Sequence, residues 1–222
     1  MPLRGRRPDK SLRARAVALH FECPSDSALS ELTRETAAIL TALRERDENT
    51  FAHCDRTCAL CVETGRTLGL CSQDLGVLGW AAELHDIGKI GIPDSVLFKP
   101  GRLDDDELSL MRTHARLGHD ILASIPGANI PFVATVVLHH HEAIDGGGYP
   151  EGLRGDDIPL MARVLSIVDS YDAIATARPY HACRSHVQVM RVLHEQQGRK
   201  YDPHILAAFG KMIETSPYRA TG

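Results

Sequence analysis

Hydrophobic residues recur along most of the chain at the three- and four-residue intervals of an amphipathic α-helix. In the first such stretch Leu29, Leu32, Ile39 and Leu43 share one face, which predicts a helix over about residues 26–46. The same periodicity predicts further helices over about residues 50–69, 72–85, 130–142, 160–176 and 185–196, with others starting at 104 and 202. Because no stretch alternates between apolar and polar residues, the predicted fold class is all-α.

Polar residues mark the starts of several of these helices. Asp104 and Ser185 each precede a Glu or Gln by three residues, which is the pattern of a capping box, and Asp202 is followed by proline. Residues 91–102 and 145–159 are rich in glycine and proline, and we predict that both are loops.

The composition is that of an ordinary globular chain of 222 residues, 43% hydrophobic and 24% charged, long enough for one large domain. A formal net charge of −4 favours neither DNA nor an anionic membrane as a partner. The basic N-terminal residues precede only a short apolar stretch, and no segment approaches the roughly 20 apolar residues of a membrane span. We therefore predict a disordered basic tail over residues 1–25, a cytoplasmic location, and no association with DNA or membrane.

Histidine is over-represented, with 12 His against five Phe and five Tyr. Metal ligation is the leading explanation, since imidazole is the commonest metal ligand. Cys54, Cys58 and Cys61 lie at helical spacing and could be imagined as a zinc or redox site together with His53. No second cysteine pair stands at zinc spacing, so we interpret the three as small residues packed on one helix face.

Histidines and aspartates stand near the ends of successive predicted helices. The adjacent pair His85-Asp86 suits two neighbouring ions, because successive helical residues point ~100° apart; Asp86, with two oxygens, could bridge them. Alone, such a pair is more often a simple helix-end contact. However, His53, His85, His114 and His140 follow one another at intervals of 32, 29 and 26 residues, about a helix plus a loop. Metal sites in helical bundles are built from such facing helices.

Residues 139–142 read His-His-His-Glu at a predicted helix end. On the surface the three imidazoles would merely be solvated, whereas burial would require a partner for each of them. The continuation decides the matter: residues 140–150, HHEAIDGGGYP, resemble position by position the His-His-Glu-x-x-Asp-Gly-x-Gly-Tyr-Pro signature of the HD-GYP family, a branch of the HD phosphohydrolases. The resemblance covers about residues 50–210 and includes HDIGKIGIPD at 85–94 and DSYDA at 169–173.

This resemblance implies an HD-type helical bundle with a buried two-metal site. The implied metal ligands are His53, His85, Asp86, His114, His140, His141 and Asp169. The implied cofactors are two divalent ions, iron or manganese. Lys89 matches the family lysine that faces the scissile phosphate, so Lys89 and Asp86 are the candidate catalytic residues. The candidate substrate-binding residues are Gly148, Tyr149, Arg178 and His181; Tyr149 would stack on a guanine or pack on its own glycine loop.

The implied activity is hydrolysis of cyclic di-GMP to linear pGpG, and in some members onward to GMP. Some members place a glutamate four residues before the first histidine as a ligand for a third ion. Here that residue is Asn49, with Glu48 out of phase, so we expect two ions. His181 stands where the family commonly has Lys or Arg.

We assign residues 26–48 to an N-terminal helix and 49–215 to the catalytic domain, which leaves no room for an upstream sensor. Regulation is then expected from a signalling protein partner or from homodimer formation, or is absent. Two alternatives remain: an HD hydrolase acting on another nucleotide, and a non-catalytic module that binds cyclic di-GMP or a partner through a dead site. Intact His85, Asp86 and Lys89 oppose the second alternative, and His181 keeps it open.

Overall fold

A computed structural model describes residues 36–37, 40–43, 45–46, 48–127, 129–176 and 184–221 of the chain. Within these ranges the named α-helices are α1 (Glu48–Leu68), α2 (Ser72–Leu84), α3 (Asp94–Leu97), α4 (Asp105–Arg112), α5 (His114–Ala123), α6 (Ile130–His139), α7 (Leu160–Ala175), α8 (His186–Glu195) and α9 (Pro203–Ile213). Two 3-10 helices, Ile87–Gly91 and Gly155–Asp157, lie between them. The described residues contain no strand beyond one isolated bridge, so the predicted all-α class is confirmed.

The polar residues that predicted helix starts do cap their helices. The Asp104 carboxylate accepts a hydrogen bond from the Glu107 backbone N–H, and the Glu107 carboxylate accepts one from the Asp104 N–H, each at 2.9 Å. The Asp202 carboxylate accepts bonds from two N–H groups in the first turn of α9. At α8 the Gln188 side chain accepts the backbone N–H of Ser185 at 2.9 Å. These contacts satisfy donors that a helix start leaves without partners.

Several predicted boundaries were wrong. Helix α1 begins at Glu48 rather than at 50, and α6 ends at His139 rather than at 142. The segment 91–102, expected to be a loop, contains α3, whose single turn forms because the carbonyl of Pro93 accepts the N–H groups of the third and fourth helical residues. The loop 145–159 contains the second 3-10 helix. Residues 36–37, 40–43 and 45–46 are helical, while the rest of the first predicted helix and the basic tail lie outside the described residues.

One apolar core joins the long helices. Leu60 of α1, Leu78 of α2, Val133 of α6, Leu165 of α7 and Phe209 of α9 are all fully buried in it. Burying a side chain of this size contributes roughly 1.5–3 kcal/mol, so the core fixes how the helices are arranged. Helix α1 packs against α2, α7 and α9, and α6 packs against α2 and α5. No helix in the described part of the chain is long and apolar enough to cross a membrane.

The three cysteines of α1 are packing residues, as their spacing predicted. Cys54 and Cys61 are buried and Cys58 is half-buried. Burial raises the pKa of Cys58 to about 11 and that of the other two thiols well above the usual range. The thiols therefore stay protonated in the metal-free chain, and neither group of potential metal ligands among the described residues contains a cysteine.

Candidate metal centre

The side chains predicted as metal ligands come from different helices and meet at one place. His53 lies on α1, His85 and Asp86 follow the end of α2, His114 starts α5, His140 and His141 follow α6, and Asp169 lies on α7. The ligand atoms of His53, His85 and Asp86 all lie within 4.8 Å of one another, and so do those of His114, His140 and His141. The structure thus brings the seven residues into two adjacent groups of three, with Asp169 beside the first.

Asp86 lies between the two groups. Its Oδ2 is 3.5 Å from His85 Nε2, and its Oδ1 is 3.8 Å from Nε2 of His114 in the second group. Asp169 Oδ1 lies 3.0 Å from His53 Nε2 and 3.8 Å from His85 Nε2. Each oxygen of Asp86 therefore faces one group of ligands, which is the arrangement that a bridging carboxylate requires.

The backbone orients three of the histidines in the same way. Nδ1 of His85, His114 and His140 lies 2.8, 2.8 and 2.6 Å from the carbonyl oxygen three residues earlier. If Nδ1–H donates to that carbonyl, the Nε2 lone pair faces the centre, as in metal-binding histidines. His85 Nε2 is buried with no hydrogen-bond partner among the described residues, a state that costs about 1–3 kcal/mol. These residues fit a metal ion, which would occupy such a nitrogen.

Burial keeps the second group of histidines uncharged. It lowers the pKa of His141 to about 3, lowers that of His140 well below the usual range, and lowers that of His114. Neutral imidazole is the form that binds a metal. The group is therefore ready to bind a cation without first losing a proton.

The first group attracts positive charge. Burial alone would raise the pKa of Asp86, but the ammonium of Lys89 and nearby histidines outweigh it and hold this pKa well below its usual range. Burial would likewise raise the pKa of Asp169, but the hydrogen bond to His53 and the nearby histidines hold it well below its usual range. Burial would lower the pKa of His53, yet bonds to Asp169 and Asp172 raise it to about 9. Ionised carboxylates buried together at a site stabilise a cation placed between them.

Lys89 lies at this centre on the first 3-10 helix. Its Nζ donates to Asp86 Oδ2 at 2.6 Å. Burial opposes its charge, but the Asp86 carboxylate outweighs burial and raises the pKa of Lys89, which stays an ammonium. The 3-10 helix approaches α5 closely at Gly88, where any Cβ would collide with the carbonyl oxygen of His114. Glycine at that position thus allows the segment carrying Lys89 to lie against the second ligand group.

The signature loop after His141 is fixed by a buried carboxylate. Glu142 accepts the backbone N–H groups of Glu151 at 2.7 Å, Gly152 at 3.1 Å and Leu153 at 3.1 Å. Gly148 lies so close to the main chain of Glu142 that a side chain would not fit. This close packing is a sufficient reason for glycine at position 148. The resemblance implies a further role for Gly148 in the base pocket.

Tyr149 lies beside the metal ligands. Its ring centre is 4.8 Å from that of His141, with the planes tilted by 31°, and the Arg112 guanidinium is 5.2 Å from the Tyr149 ring centre. In this position the Tyr149 ring can contact a bound base. The ring also packs against the candidate ligand His141, which precedes it in the same loop. Arg178 and His181, the other two candidate substrate-binding residues, lie outside the described residues.

The sequence interpretation missed residues that support the ligands. Asp172 Oδ2 lies 2.6 Å from His53 Nδ1, and Arg56 donates to both oxygens of Asp172 at 2.7 and 2.8 Å. The pair therefore orients His53 from outside the centre. Asp172 lies within the matched segment 169–173 and Glu142 within the signature, so both positions could have been found from the resemblance.

Buried imidazole and carboxylate ligands on converging helices define a helical metal-binding protein. The HD domain family matches residues 29–205, and the chain belongs to this family. The HD-GYP identification is confirmed by relatives such as the cyclic di-GMP phosphodiesterase response regulator RpfG of Xanthomonas campestris, 38% identical over 91% of this chain and 54% of that protein. Another is the 3'3'-cGAMP-specific phosphodiesterase 2 of Vibrio cholerae, 35% identical over 80% of this chain and 34% of that protein.

A solved structure shares the fold. Bd1817, a HDG"Y"P protein from Bdellovibrio bacteriovorus, superposes with a TM-score of 0.62 and 20% identity, covering 85% of this chain and 62% of that one. The predicted HD-type bundle is thereby confirmed. The chain spans about half the length of RpfG and about a third of the length of the Vibrio cholerae relative.

Proposed function

We propose that this protein is a metal-dependent phosphodiesterase that hydrolyses cyclic di-GMP to linear pGpG, which some family members cut onward to GMP. The observation that carries the proposal is the pair of ligand groups joined by Asp86, with the Lys89 ammonium bonded to the same carboxylate. A binding module could use the ammonium to hold a phosphate. Hydrolysis also needs an activated water and neutralisation of the charge that grows on the phosphate oxygens, and two ions sharing a carboxylate beside an ammonium can supply both.

The proposed cofactors are two divalent ions, iron or manganese, because imidazole and carboxylate suit these metals and no thiolate lies among the described ligands. His53, His85 and Asp169 would hold one ion and His114, His140 and His141 the other, with Asp86 shared. When bound, such ions act as Lewis acids and lower the pKa of water towards ~7.

The protein's own groups position the substrate and neutralise its charge. The Lys89 ammonium lies where a phosphate at the centre gains negative charge in the transition state, and it can donate to a phosphate oxygen there. Tyr149 offers an aromatic ring beside His141 against which a guanine can stack. Asp172 and Arg56 hold His53, and Glu142 holds the loop that carries Tyr149, so both parts of the site are set before substrate binds.

A second substrate has support from the relatives. The Vibrio cholerae relative is named a 3'3'-cGAMP-specific phosphodiesterase, and it is nearly as similar to this chain as the cyclic di-GMP enzymes. We rank cyclic di-GMP first because the relatives with higher identity over more of the chain carry that name. The two substrates differ in one base. Discrimination between them therefore depends on the residues that contact the base and not on the metal centre.

The remaining predictions about the whole protein stand as proposals. They are a catalytic domain over residues 49–215, a cytoplasmic location, and regulation through a protein partner or a homodimer.

The test uses anaerobically purified protein of known metal content. Cyclic di-GMP and 3'3'-cGAMP are incubated with it separately and the products are resolved by chromatography, with Asp86→Ala as the inactive control. We expect pGpG from cyclic di-GMP, with slower cleavage of 3'3'-cGAMP, and the chromatogram shows whether GMP follows. Faster cleavage of 3'3'-cGAMP would reassign the substrate. If protein with two ions per chain cleaves neither, calorimetric binding of cyclic di-GMP would support the non-catalytic module instead.

A further inference from the structure

Arg46, which precedes α1, reaches the segment that follows Lys89. Its Nη1 donates to the carbonyl oxygens of Lys89 at 2.9 Å and Ile90 at 2.7 Å. Its Nη2 donates to the carbonyl of Ile92 at 2.5 Å, and the guanidinium also contacts the Asp94 carboxylate. One side chain therefore binds three carbonyl groups between Lys89 and Ile92 across more than 40 residues of sequence.

The carbonyls of Lys89 and Ile90 lie in the last turn of the first 3-10 helix, and that of Ile92 lies just beyond its end. A helix end leaves backbone oxygens short of partners, although the Lys89 carbonyl also accepts the Ile92 N–H. A guanidinium suits this task because it presents five N–H donors in a fixed planar fork. The opposite side of the same 3-10 helix is pinned by Gly88 against the backbone of His114. The segment carrying Lys89 is thus held from both sides, by α5 and by Arg46.

We propose that Arg46 is a positioning residue for Lys89, and that the helical residues carrying it transmit their own position to the catalytic ammonium. The proposal rests on the proposed function, since it concerns the lysine of that site. Lys89 is bonded to Asp86 in the present backbone position. A shift of the residues around Arg46 would withdraw three hydrogen bonds from the segment and change where the ammonium lies. Because Asp86 directly precedes the same 3-10 helix and His53, on α1, follows Arg46 in the chain, metal content is measured together with turnover.

A plain capping role is the rival explanation. In that case Arg46 would stabilise the fold through the carbonyls of the 3-10 helix and have no specific connection to Lys89. The two explanations differ in a double-mutant cycle, because residues that act through one another show non-additive effects.

The experiment measures kcat, KM, metal content and Tm for wild type, Arg46→Ala, Lys89→Ala and the double variant. We expect Arg46→Ala to lose about tenfold in kcat with KM changed by less than about threefold and metal retained, since a small misplacement of a catalytic group has effects of this size. In the Lys89→Ala background the same change should cost less than about twofold. The control, Arg191→Ala on the exposed face of α8, where Arg191 pairs with Glu195, should leave kcat unchanged.

Equal losses of kcat in both backgrounds, or a lower Tm with unchanged kcat, would overturn the proposal in favour of plain capping. If Arg46→Ala does not fold, Arg46→Lys and Asp94→Asn replace it. The first keeps the charge without the fork and the second removes one contact, and each should show a smaller loss that also disappears without Lys89.

Hydrogen exchange of residues 87–94 provides a readout independent of activity. We expect exchange at least about fivefold faster in Arg46→Ala than in wild type or Arg191→Ala, because the segment loses its outer support. Unchanged exchange would contradict the proposal. If wild type cleaves no cyclic dinucleotide while exchange still rises, the proposed function fails and the mechanical link between Arg46 and the Lys89 segment stands.

Discussion

At the scale of single residues, the centre is built by short-range bonds that set which nitrogen faces it. His85, His114 and His140 use the carbonyl three residues back to fix Nδ1. His53 uses a carboxylate from another helix for the same purpose. The hydrogen bond to the carbonyl three residues earlier needs only a helix end. This explains why His85 and His140 directly follow the ends of α2 and α6.

Lys89 is the residue on which an enzyme and a binding module differ most. Lys89→Ala should keep both metals and most of the substrate affinity but lose about 10²–10³-fold in kcat, since preorganised charge acts mainly in the transition state. Lys211→Ala, exposed on α9, is the matched control. Steady-state kinetics with metal analysis checks this. Proportionate losses in affinity and turnover would make Lys89 a binding residue only.

Asp172 should control metal affinity through His53. Asp172→Asn leaves His53 Nδ1 without its carboxylate and should weaken Mn²⁺ binding about 10–100-fold, with most of the turnover recovered at saturating metal. Asp120→Asn, an exposed carboxylate beside His119, is the control. Titration of metal-free protein measures the change. A lower Tm with unchanged metal affinity would show that Asp172 only anchors Arg56.

The seven candidate metal ligands could be predicted from sequence because the family resemblance implies them, and the structure places their side chains together. Their supports could not. Asp172 meets His53 across 119 residues, and no spacing rule encodes that contact. Arg46 contacts mostly main-chain oxygens, which every residue has, so within residues 89–94 only the Asp94 side chain takes part in a contact that depends on residue type.

At the scale of elements, the loop after α6 depends on Glu142. Glu142→Ala would leave three partly buried N–H groups without their acceptor and should lower the free energy of unfolding by about 2–4 kcal/mol, because bonds to charged groups contribute ~1.5–3 kcal/mol each and are not additive. Glu142→Gln should lose less. Glu195→Ala, an exposed partner of Arg191, should change it by under about 0.5 kcal/mol. Urea denaturation measures all three, and a loss no larger than that of Glu195→Ala would contradict the role.

Helix periodicity predicted the long elements well and the short ones poorly. Amphipathic faces identified α1, α2, α6, α7 and α8 because each buries a stripe in one core. Helix α3 has four residues, too few for any periodicity, and forms because Pro93 offers its carbonyl to the next turn. The helix predicted over about 130–142 ends at His139, because the Glu142 N–H bonds to the His139 carbonyl in a turn.

At the scale of the whole molecule, the apolar core stabilises the fold, whereas the charged groups buried at the candidate metal centre destabilise it. The helices bury apolar faces favourably, but their convergence also buries Asp86 and Asp169 together with several imidazoles. Buried charges without full compensation are costly, and removing one partner from such a group is strongly destabilising. Lys89 and His53 compensate part of the negative charge, and the orphaned Nε2 of His85 shows that compensation is incomplete.

Metal binding should therefore stabilise the folded chain as a whole. A ligand that binds only the native state contributes about 2.7 kcal/mol when present at 100 times its Kd. For a chain of this size that corresponds to a Tm shift of about 5–10 °C. We expect chelation to lower Tm by that amount and Mn²⁺ to restore it, as followed by calorimetry in chelator and then in added metal. Asp86→Ala, which lacks the shared carboxylate, should show a much smaller shift. An equal shift in Asp86→Ala would place the stabilising ion elsewhere, and no shift in wild type would contradict a metal centre at this junction of helices.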